Sequence, residues 1–346
     1  MILVTGNSGY IGSVMTRVLQ EHSYEVIGLD CNYYNGCEFY ATQASPSKQI
    51  VKDIRDVTED DLEGVTDIIH LAALSNDPVG ELNPSLTNEI NYTASVNLAK
   101  LAKKNGVQRF VFSSSCSLYG ISSDSRPLTE TDTFNPITAY AKTKVKVEQD
   151  ISKLADSNFH PVFMRNATVY GISPCLRLDL VVNNLVAWAY LTGDIAIMSD
   201  GTPWRPLIHV EDLCLAFIAA LQADSEKIHN QAFNVGINEG NYQVKDVAIE
   251  IEKIVPDSHS EILNKTGVDE RTYRVDFSKI KEVLPGFKPA WNLRKGIGDI
   301  YQTYKDFGLT KDDLDSDKYF RVRWLKYLIE NKKIDENIRW RCSTSA

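Results

Sequence analysis

The sequence predicts an α/β protein in which a doubly wound parallel sheet is covered by helices on both faces. Short apolar runs alternate with longer segments of helical periodicity through the first half of the chain. The run at residues 67–73 is almost continuously apolar, as expected of a strand that is buried on both faces. Polar or glycine-rich residues follow these runs directly. Alternation of this kind is typical of sheets whose ligands bind at the carboxyl ends of the strands.

The predicted elements follow this alternation in order. Asn135 followed by Pro136 indicates the start of one helix, because Asn caps helices and Pro is tolerated in the first turn. Strands are predicted at residues 2–5, 24–30, 49–53, 67–73, 109–115 and 161–167, and helices at 11–21, 84–105, 136–157, 180–191 and 244–255.

The composition is that of an ordinary globular protein and excludes several classes. The 346 residues are 43% apolar and 24% charged, with a formal net charge of −9. The length suggests about two domains, and the acidic balance argues against a nucleic-acid-binding protein, which needs a basic face. No apolar run approaches the roughly 18–20 residues that cross a bilayer, and the six cysteines contain no CxxC pair. We therefore expect a cytoplasmic protein with reduced thiols, without a membrane partner and without a metal site.

A glycine-rich turn follows the first strand. Residues 5–12 read Thr-Gly-Asn-Ser-Gly-Tyr-Ile-Gly. Gly6 permits a tight turn, Gly9 lets the backbone approach a diphosphate, and Gly12 lets the helix pack closely on the strand. Asp30, at the end of the second strand, can accept hydrogen bonds from ribose hydroxyls and would repel a 2′-phosphate. Together these features predict a Rossmann-type site for a dinucleotide, with NAD favoured over NADP.

The ends of the third and fourth strands are expected to extend this site. Asp53 and the following Ile54 are placed to touch the adenine, although Asp53 could instead cap a turn. His70 is expected to be a core histidine rather than a catalyst, and the small residues after it let the backbone lie against the cofactor. The predicted cofactor contacts are Gly6, Gly9, Tyr10, Ile11, Gly12, Asp30, Asp53, Ile54, Leu71, Ala72, Ala73, Ser113, Tyr140 and Lys144.

The candidate catalytic pair is Tyr140 and Lys144, whose spacing of four places both side chains on one face of a helix. A tyrosine with a pKa of about 10 is a poor base at neutral pH, but a neighbouring ammonium and an oxidised nicotinamide both favour the phenolate. A pKa lowered by about three units corresponds to about 4 kcal/mol of differential stabilisation. One of the hydroxyls of the run Ser113-Ser114-Ser115, at the end of the fifth strand, could hydrogen-bond the substrate oxygen. The alternative is a solvated helix face that carries Lys142, Lys144 and Lys146.

These motifs together resemble the extended short-chain dehydrogenase/reductase superfamily and, within it, the NAD-dependent sugar-nucleotide epimerase/dehydratase family that includes UDP-glucose 4-epimerase. The resemblance covers about residues 1–300. It implies NAD as cofactor, a nucleotide-diphosphate sugar as substrate and a homodimer formed through the two long helices. It also implies that Ser115 is the catalytic serine, and that Lys144 holds the nicotinamide ribose and lowers the pKa of Tyr140.

The same resemblance implies two interleaved domains. An NAD-binding domain takes residues 1–165 and 206–234, and a smaller α/β lobe that binds the substrate takes residues 166–205 and 235–300. Residues 301–346 are then a C-terminal extension of unknown role.

Two later segments resemble the parts of the family that bind the substrate diphosphate. They point to Arg205, which is followed by Pro206 where relatives usually have Asp, and to Arg271. Either arginine could instead be a surface residue paired with a nearby acid. The predicted substrate contacts are Ser75, Ser115, Thr168, Arg205 and Arg271.

The implied reaction is epimerisation, with C4 as the expected carbon. Tyr140 would take a proton from the hydroxyl while a hydride passes to NAD, and the 4-keto sugar would take the hydride back on its other face. Sugar-nucleotide 4,6-dehydratases have Thr-Asp-Glu where this chain has Ser115-Cys116-Ser117, so the obvious acid and base for dehydration are missing. Cys116 could replace one of them, but it is expected to be a buried thiol. A dehydrogenase, dehydratase or decarboxylase on the same scaffold is the alternative, and a non-catalytic NAD-binding regulator is a further one.

Overall fold

The computed structural model describes residues 1–42, 44–75, 81, 83–121, 126–265 and 271–341. Its strands are β1 (Ile2–Thr5), β2 (Val26–Asp30), β3 (Lys48–Val51), β4 (Asp67–His70), β5 (Arg109–Ser115), β6 (His160–Asn166), β7 (Thr168–Tyr170), β8 (Asp194–Ile197), β9 (Trp204–His209), β10 (Gln231–Val235), β11 (Asn241–Gln243) and β12 (His259–Ile262).

The helices connect these strands. They are α1 (Tyr10–Glu21), α2 (Pro84–Thr87, a π-helical stretch Asn88–Thr93, and Ala94–Lys104 in one continuous run), α3 (Ala139–Ser152), α4 (Val181–Thr192), α5 (Val210–Gln222), α6 (Ser225–Ile228), α7 (Val244–Glu252), α8 (Ser278–Val283), α9 (Leu293–Asp306), α10 (Lys311–Asp315) and α11 (Arg321–Glu330), with 3₁₀ turns at Ile54–Asp56, Glu59–Leu62, Cys116–Tyr119 and Asn238–Gly240.

The largest sheet has seven strands within the described residues, in the order β10-β6-β5-β4-β1-β2-β3. Every neighbouring pair is parallel, and separate apolar cores cover its two faces. The strand order reverses at β1, where β2 lies on one side and β4 on the other. Doubly wound sheets bind ligands in the crevice at such a reversal. The predicted fold class is confirmed.

A smaller α/β lobe contains the other strands. One sheet has the order β11-β9-β7, with β9 antiparallel to β11 and parallel to β7, and a second pairs β8 with β12 in parallel. Helices α4, α7 and α9 share an apolar core with these strands. All four predicted domain boundaries fall inside elements, because β6, β9, β10 and α9 continue past residues 165, 205, 234 and 300.

The predicted start of α3 is wrong. The helix begins at Ala139, and its N-cap is Thr138, whose side chain accepts a hydrogen bond from a backbone N–H of the first turn. Asn135 instead belongs to the preceding loop, where its backbone N–H donates to the Leu118 carbonyl at 3.0 Å. A residue before proline is disfavoured in the helical region, so Asn135 and Pro136 lead into the helix without starting it. The helix also ends at Ser152, earlier than predicted.

The C-terminal extension packs against both the smaller lobe and one face of the large sheet. Its first part joins the core of the smaller lobe through the buried side chains of Leu309, Leu314 and Tyr319. Its second part, α11 and the turn after it, joins the core on one face of the large sheet. The buried residues there are Leu325, Leu328, Ile334 and Ile338, in one cluster with Leu3, Ile27 and Leu29 of β1 and β2.

The described residues contain no helix that is both long and apolar enough to span a bilayer. The cysteines among them are all free thiols, namely Cys31, Cys37, Cys116, Cys175 and Cys214.

Candidate active site

A continuous cleft lies at the carboxyl ends of the central strands. Its first part, called here the first pocket, is bounded by the glycine-rich turn, and its second part, the second pocket, by the ends of β5 and β6 and by α3. The two pockets share Tyr10, Ile11, Leu71, Ala73, Ser75 and Arg177.

The structure brings the predicted site residues together in this cleft. Ser75 lines both pockets. The first pocket is lined by Gly6, Gly9, Tyr10, Ile11, Gly12, Asp30, Asp53, Ile54, Leu71, Ala72 and Ala73. The second pocket is lined by Ser113, Ser115, Tyr140, Lys144, Thr168, Arg205 and Arg271.

The glycines shape the first pocket through the backbone. Gly6 has φ +74°, and a Cβ there would lie 2.9 Å from the backbone nitrogen of Ala72. A Cβ on Gly12 would lie 2.0 Å from the Gly6 carbonyl oxygen, so helix and turn touch directly. Gly9 is the N-cap of α1 and gives it no side-chain cap. The first N–H groups of a helix have no acceptor within the helix, so this turn offers them to an anion.

The Asp30 carboxylate is held in place by the backbone. Oδ2 accepts the Ser8 N–H at 3.0 Å, and Oδ1 accepts the Asn32 N–H at 2.8 Å. Burial raises the pKa of Asp30, and these two hydrogen bonds oppose the increase. Each oxygen has two lone pairs, so the carboxylate can still accept hydrogen bonds from ribose hydroxyls.

The Asp53 carboxylate takes the turn-capping role that the sequence left open. Oδ1 accepts hydrogen bonds from the backbone N–H and Nε of Arg55, both at 2.9 Å. Oδ2 accepts from Nη2 of Arg55 at 2.7 Å and from the Tyr33 hydroxyl at 3.1 Å. Burial would raise the pKa of Asp53, but the hydrogen bonds from Arg55 outweigh it and lower the pKa. Both oxygens therefore already have partners within the protein.

His70 is a core residue, as predicted. Its side chain is buried, with Nδ1 2.6 Å from the Thr5 hydroxyl and Nε2 2.7 Å from the Ser95 hydroxyl. Burial lowers the pKa of His70 to about 3, and the charge of Lys144 adds to this shift. The imidazole is therefore neutral at pH 7 and ties the ends of β1 and β4 to α2.

Lys144 is buried beside Tyr140 in the second pocket. Its Nζ lies 5.4 Å from the centre of the Tyr140 ring and 4.5 Å from that of Phe112, and it donates to the Ser113 carbonyl at 2.6 Å. Burial lowers the pKa of Lys144 to about 7, and the charge of Glu148 opposes this decrease. The solvated helix face that the sequence left open does not describe Lys144, which is 3% exposed.

The serine run divides between two faces of β5. The Ser113 hydroxyl accepts a hydrogen bond from Asn166 at 2.9 Å, whereas the Ser114 hydroxyl donates to Glu148 at 2.5 Å. The Ser115 hydroxyl accepts the Ser117 N–H at 3.1 Å. A hydroxyl that accepts one bond still has its own hydrogen to donate, so Ser115 can hydrogen-bond a ligand oxygen in the second pocket.

The two predicted diphosphate arginines lie next to one another. Nη1 of Arg205 donates to the carbonyls of Trp204, at 3.0 Å, and Arg271. Tyr273 lines the same part of the second pocket. Residues 269 and 270, and residues 76–78 of the loop after Ser75, lie outside the described residues.

Cys116 faces away from the cleft, as predicted for a buried thiol. It is fully buried, and its Sγ donates to the Arg165 carbonyl at 3.1 Å. Burial raises the pKa of the Cys116 thiol. The adjacent Ser117 does line the second pocket, but positions 116 and 117 supply no carboxylate.

Sequence reasoning missed several residues of the cleft. Arg177 lies where the two pockets meet, and its guanidinium binds both oxygens of Asp179, at 2.9 and 3.1 Å. Arg321 lines the first pocket and Arg323 the second, and both come from α11. The Arg-Leu-Asp sequence after β7 was a weak signal for Arg177. No motif pointed to α11, because the extension lies beyond the segment with a family resemblance.

The chain is similar to known proteins over most of its length. The sequence profile described as the NAD dependent epimerase/dehydratase family matches residues 2–236. UDP-glucuronic acid decarboxylase 1 from Arabidopsis thaliana is 28% identical over 323 residues, which cover 90% of this chain and 71% of that protein. UDP-glucose 4-epimerase from Bacillus subtilis is 30% identical over 334 residues, which cover 86% of this chain and 94% of that protein.

A solved structure shows the same fold. The UDP-glucuronic acid 4-epimerase from Bacillus cereus, in complex with UDP-glucuronic acid and NAD, superimposes with a TM-score of 0.73. The match covers 88% of this chain and 99% of that one, at 23% sequence identity.

Proposed function

This chain belongs to the NAD dependent epimerase/dehydratase family, as its motifs predict, and from that premise we propose that it is a nucleotide-sugar epimerase that acts at C4. Its relatives include both an epimerase and a decarboxylase, so the net reaction is the part that this proposal adds. The proposed substrate is a nucleoside-diphosphate sugar. The observation that carries the proposal is the placement of Tyr140, Lys144 and Ser115 in one pocket that adjoins the glycine-rich turn.

The first pocket fits NAD, the cofactor of the family. The uncapped N-terminus of α1 and the bare backbone at Gly9 suit a diphosphate. The Asp30 carboxylate suits a ribose with free hydroxyls and disfavours a 2′-phosphate. When bound, NAD supplies a hydride acceptor at its nicotinamide ring.

Tyr140 is the proposed general base. Its phenolate takes the proton from the sugar hydroxyl, and Ser115 donates a hydrogen bond to the oxygen that loses this proton. When it is protonated, Lys144 has its positive charge near the Tyr140 ring, and this charge favours the phenolate. Because Lys144 is buried, this attraction is only weakly screened by solvent.

The second half of the reaction reverses the first. The 4-keto sugar turns over in the second pocket, takes the hydride on its other face and recovers a proton from Tyr140. Arg205 and Arg271 are proposed to hold the diphosphate during this step, because guanidinium groups form charge-assisted hydrogen bonds with phosphate. No carboxylate at positions 116 and 117 is available to remove water from the keto sugar, and this favours the epimerase over a dehydratase.

The domain division predicted from the sequence, with a substrate lobe beside an NAD-binding domain, is part of this proposal. A homodimer formed through α2 and α3 is also part of this proposal.

The test compares Tyr140→Phe with the matched variant Tyr190→Phe, which changes a tyrosine of α4 in the smaller lobe. Each protein is incubated with UDP-glucose and with UDP-glucuronic acid, and the products are identified by NMR and mass spectrometry. We expect a product of unchanged mass and inverted C4, a loss of turnover of about 10²- to 10⁴-fold in Tyr140→Phe, unchanged NAD content, and normal turnover in Tyr190→Phe.

Three results would contradict the proposal. Loss of carbon dioxide or water from the sugar would identify a decarboxylase or a dehydratase. Stoichiometric release of NADH would identify a dehydrogenase. Full turnover by Tyr140→Phe would remove Tyr140 from the mechanism.

A further inference from the structure

Arg321 is buried in the wall of the first pocket, although it comes from the C-terminal extension. It is the first residue of α11 and is only 1% exposed. The family profile ends at residue 236, so nothing in the profile accounts for a charged side chain at this place. Arg321 shares the pocket with the glycine-rich turn and with Asp30.

The guanidinium of Arg321 is only partly satisfied by the protein. Its Nη2 donates to the carbonyl oxygen and the Sγ of Cys175, at 3.0 and 3.1 Å. Its Cζ lies 4.0 Å from the centre of the Tyr34 ring. Its Nη1 is buried and has no hydrogen-bond partner among the described residues. The positive charge of Arg321 acts to lower the pKa of Asp30 and of Asp179. No carboxylate of the described residues forms an ion pair with Arg321.

Hydrogen bonds fix the extension against the segment that follows β2. Trp324, one turn further along α11, donates from Nε1 to the Tyr33 carbonyl at 2.7 Å. The Tyr33 hydroxyl donates to the Ile338 carbonyl, and Trp340 Nε1 donates to the Cys31 carbonyl at 2.6 Å. The chain after α11 is thus bonded to the segment that follows β2. These bonds fix the position of α11, and Arg321 at its first residue is only 1% exposed, so its guanidinium has little access to solvent.

A buried N–H of a charged group without an acceptor is costly, because it loses its hydration without replacement. The acceptor that would remove this cost must come from the pocket. In NAD the anionic group is the diphosphate. We propose that Arg321 binds the diphosphate of NAD, together with the N-terminus of α1, so that the C-terminal extension is part of the cofactor site.

This inference depends on NAD binding and not on which reaction the enzyme catalyses. A 2′-phosphate on the adenosine ribose is the other anion that an arginine near Asp30 could bind. The Asp30 carboxylate would repel that phosphate, so the diphosphate is favoured.

The experiment measures binding by calorimetry with protein freed of cofactor. The variants are Arg321→Gln, Arg321→Lys and the matched control Lys326→Gln, which removes one exposed positive charge from the same helix. The ligands are NAD, ADP-ribose, adenosine and NADP. We expect Arg321→Gln to weaken NAD and ADP-ribose by about 10- to 100-fold and to leave adenosine unchanged. Arg321→Lys should lose less, and Lys326→Gln should bind like the parent protein.

Several outcomes would overturn the inference. Unchanged NAD affinity in folded Arg321→Gln would show that the guanidinium does not contact the cofactor. An equal loss for adenosine would show that Arg321 only shapes the pocket. A loss confined to NADP would assign Arg321 to a 2′-phosphate. If Arg321→Gln does not fold, Arg321→Lys supplies the same comparison, and turnover of UDP-sugars by the parent protein tests the proposed reaction separately.

Discussion

The beginning and the end of the chain build the same pocket by different means. The glycine-rich turn contributes backbone: Gly6 and Gly12 permit close contacts, and the N-terminus of α1 presents its N–H groups. The C-terminal extension contributes a side chain, Arg321, which buried apolar residues of α11 hold in place. A site built from backbone groups requires glycine at fixed positions, and this requirement produces a motif in the sequence. A pocket wall built from one buried side chain requires only packing and produces no such motif.

Two of the buried cations that line the cleft differ in chemistry. Lys144 lies in the second pocket and Arg321 in the first, and within the described residues neither forms an ion pair with a carboxylate. Burial lowers the pKa of Lys144 to about 7, so its charge responds to pH. An arginine does not lose its proton in proteins. The reaction end of the cleft can therefore titrate near neutral pH, while the positive charge at the cofactor end is permanent.

The largest expected effect tests whether the extension contributes as much to the stability of the shared core as the N-terminal strands do. Leu325 is fully buried in one cluster with Leu29 of β2. We expect Leu325→Ala to lower the free energy of unfolding by about 2–5 kcal/mol, because it removes buried methyl groups and leaves a cavity. Urea unfolding of the cofactor-free protein measures this, with Leu29→Ala as the matched variant.

A comparable loss in Leu325→Ala and Leu29→Ala would confirm that one core supports both ends of the chain. A change below about 0.5 kcal/mol in Leu325→Ala, the level typical of surface substitutions, would show instead that the extension is only loosely attached.

A smaller effect is expected from Lys144→Met, and it sharpens the contrast between the two cations. The folded pKa of about 7 lies below the ordinary value of 10.5, so between these values the unfolded chain binds more protons than the folded protein. Lys144 therefore destabilises the cofactor-free protein at pH 7, and this cost decreases as the pH rises toward 10.5. Lys144→Met removes this cost, but it also loses the hydrogen bond to Ser113, which offsets part of the gain. We expect the variant to raise the free energy of unfolding at pH 7 by about 2 kcal/mol.

Thermal unfolding at several pH values measures this prediction, and the advantage of Lys144→Met should shrink steadily from pH 7 to pH 10. Lys142→Met is the control, because Lys142 is exposed on the same helix. A pH-independent difference between Lys144→Met and the parent protein would contradict the lowered pKa.

The contrast between motif and packing also explains which residues of the cleft the sequence indicates and which it does not. Every residue predicted for the cofactor site lines the cleft, because the carboxyl ends of parallel strands and the helices that follow them meet at one edge of the sheet. Asn135 was wrong as a cap because Thr138 competes for the same role three residues later, and local pattern does not decide between them. Arg321 was missed because its place depends on contacts with Tyr34 and Cys175, which are far away in the sequence.

The smallest expected effect tests what attaches the extension. Arg339 forms ion pairs with Asp56 and, at 3.5 Å, with Asp53, and its side chain is 33% exposed. Ion pairs near the surface contribute about 0–1 kcal/mol, because solvent screens them and two side chains must be ordered. We expect Arg339→Gln to lower the free energy of unfolding by less than about 1 kcal/mol, and the difference from the parent protein to shrink further in high salt. Urea unfolding at low and high salt measures both. A loss as large as that of Leu325→Ala would mean that charge, and not apolar packing, holds the extension against the pocket. The two ends of the chain would then differ in electrostatics.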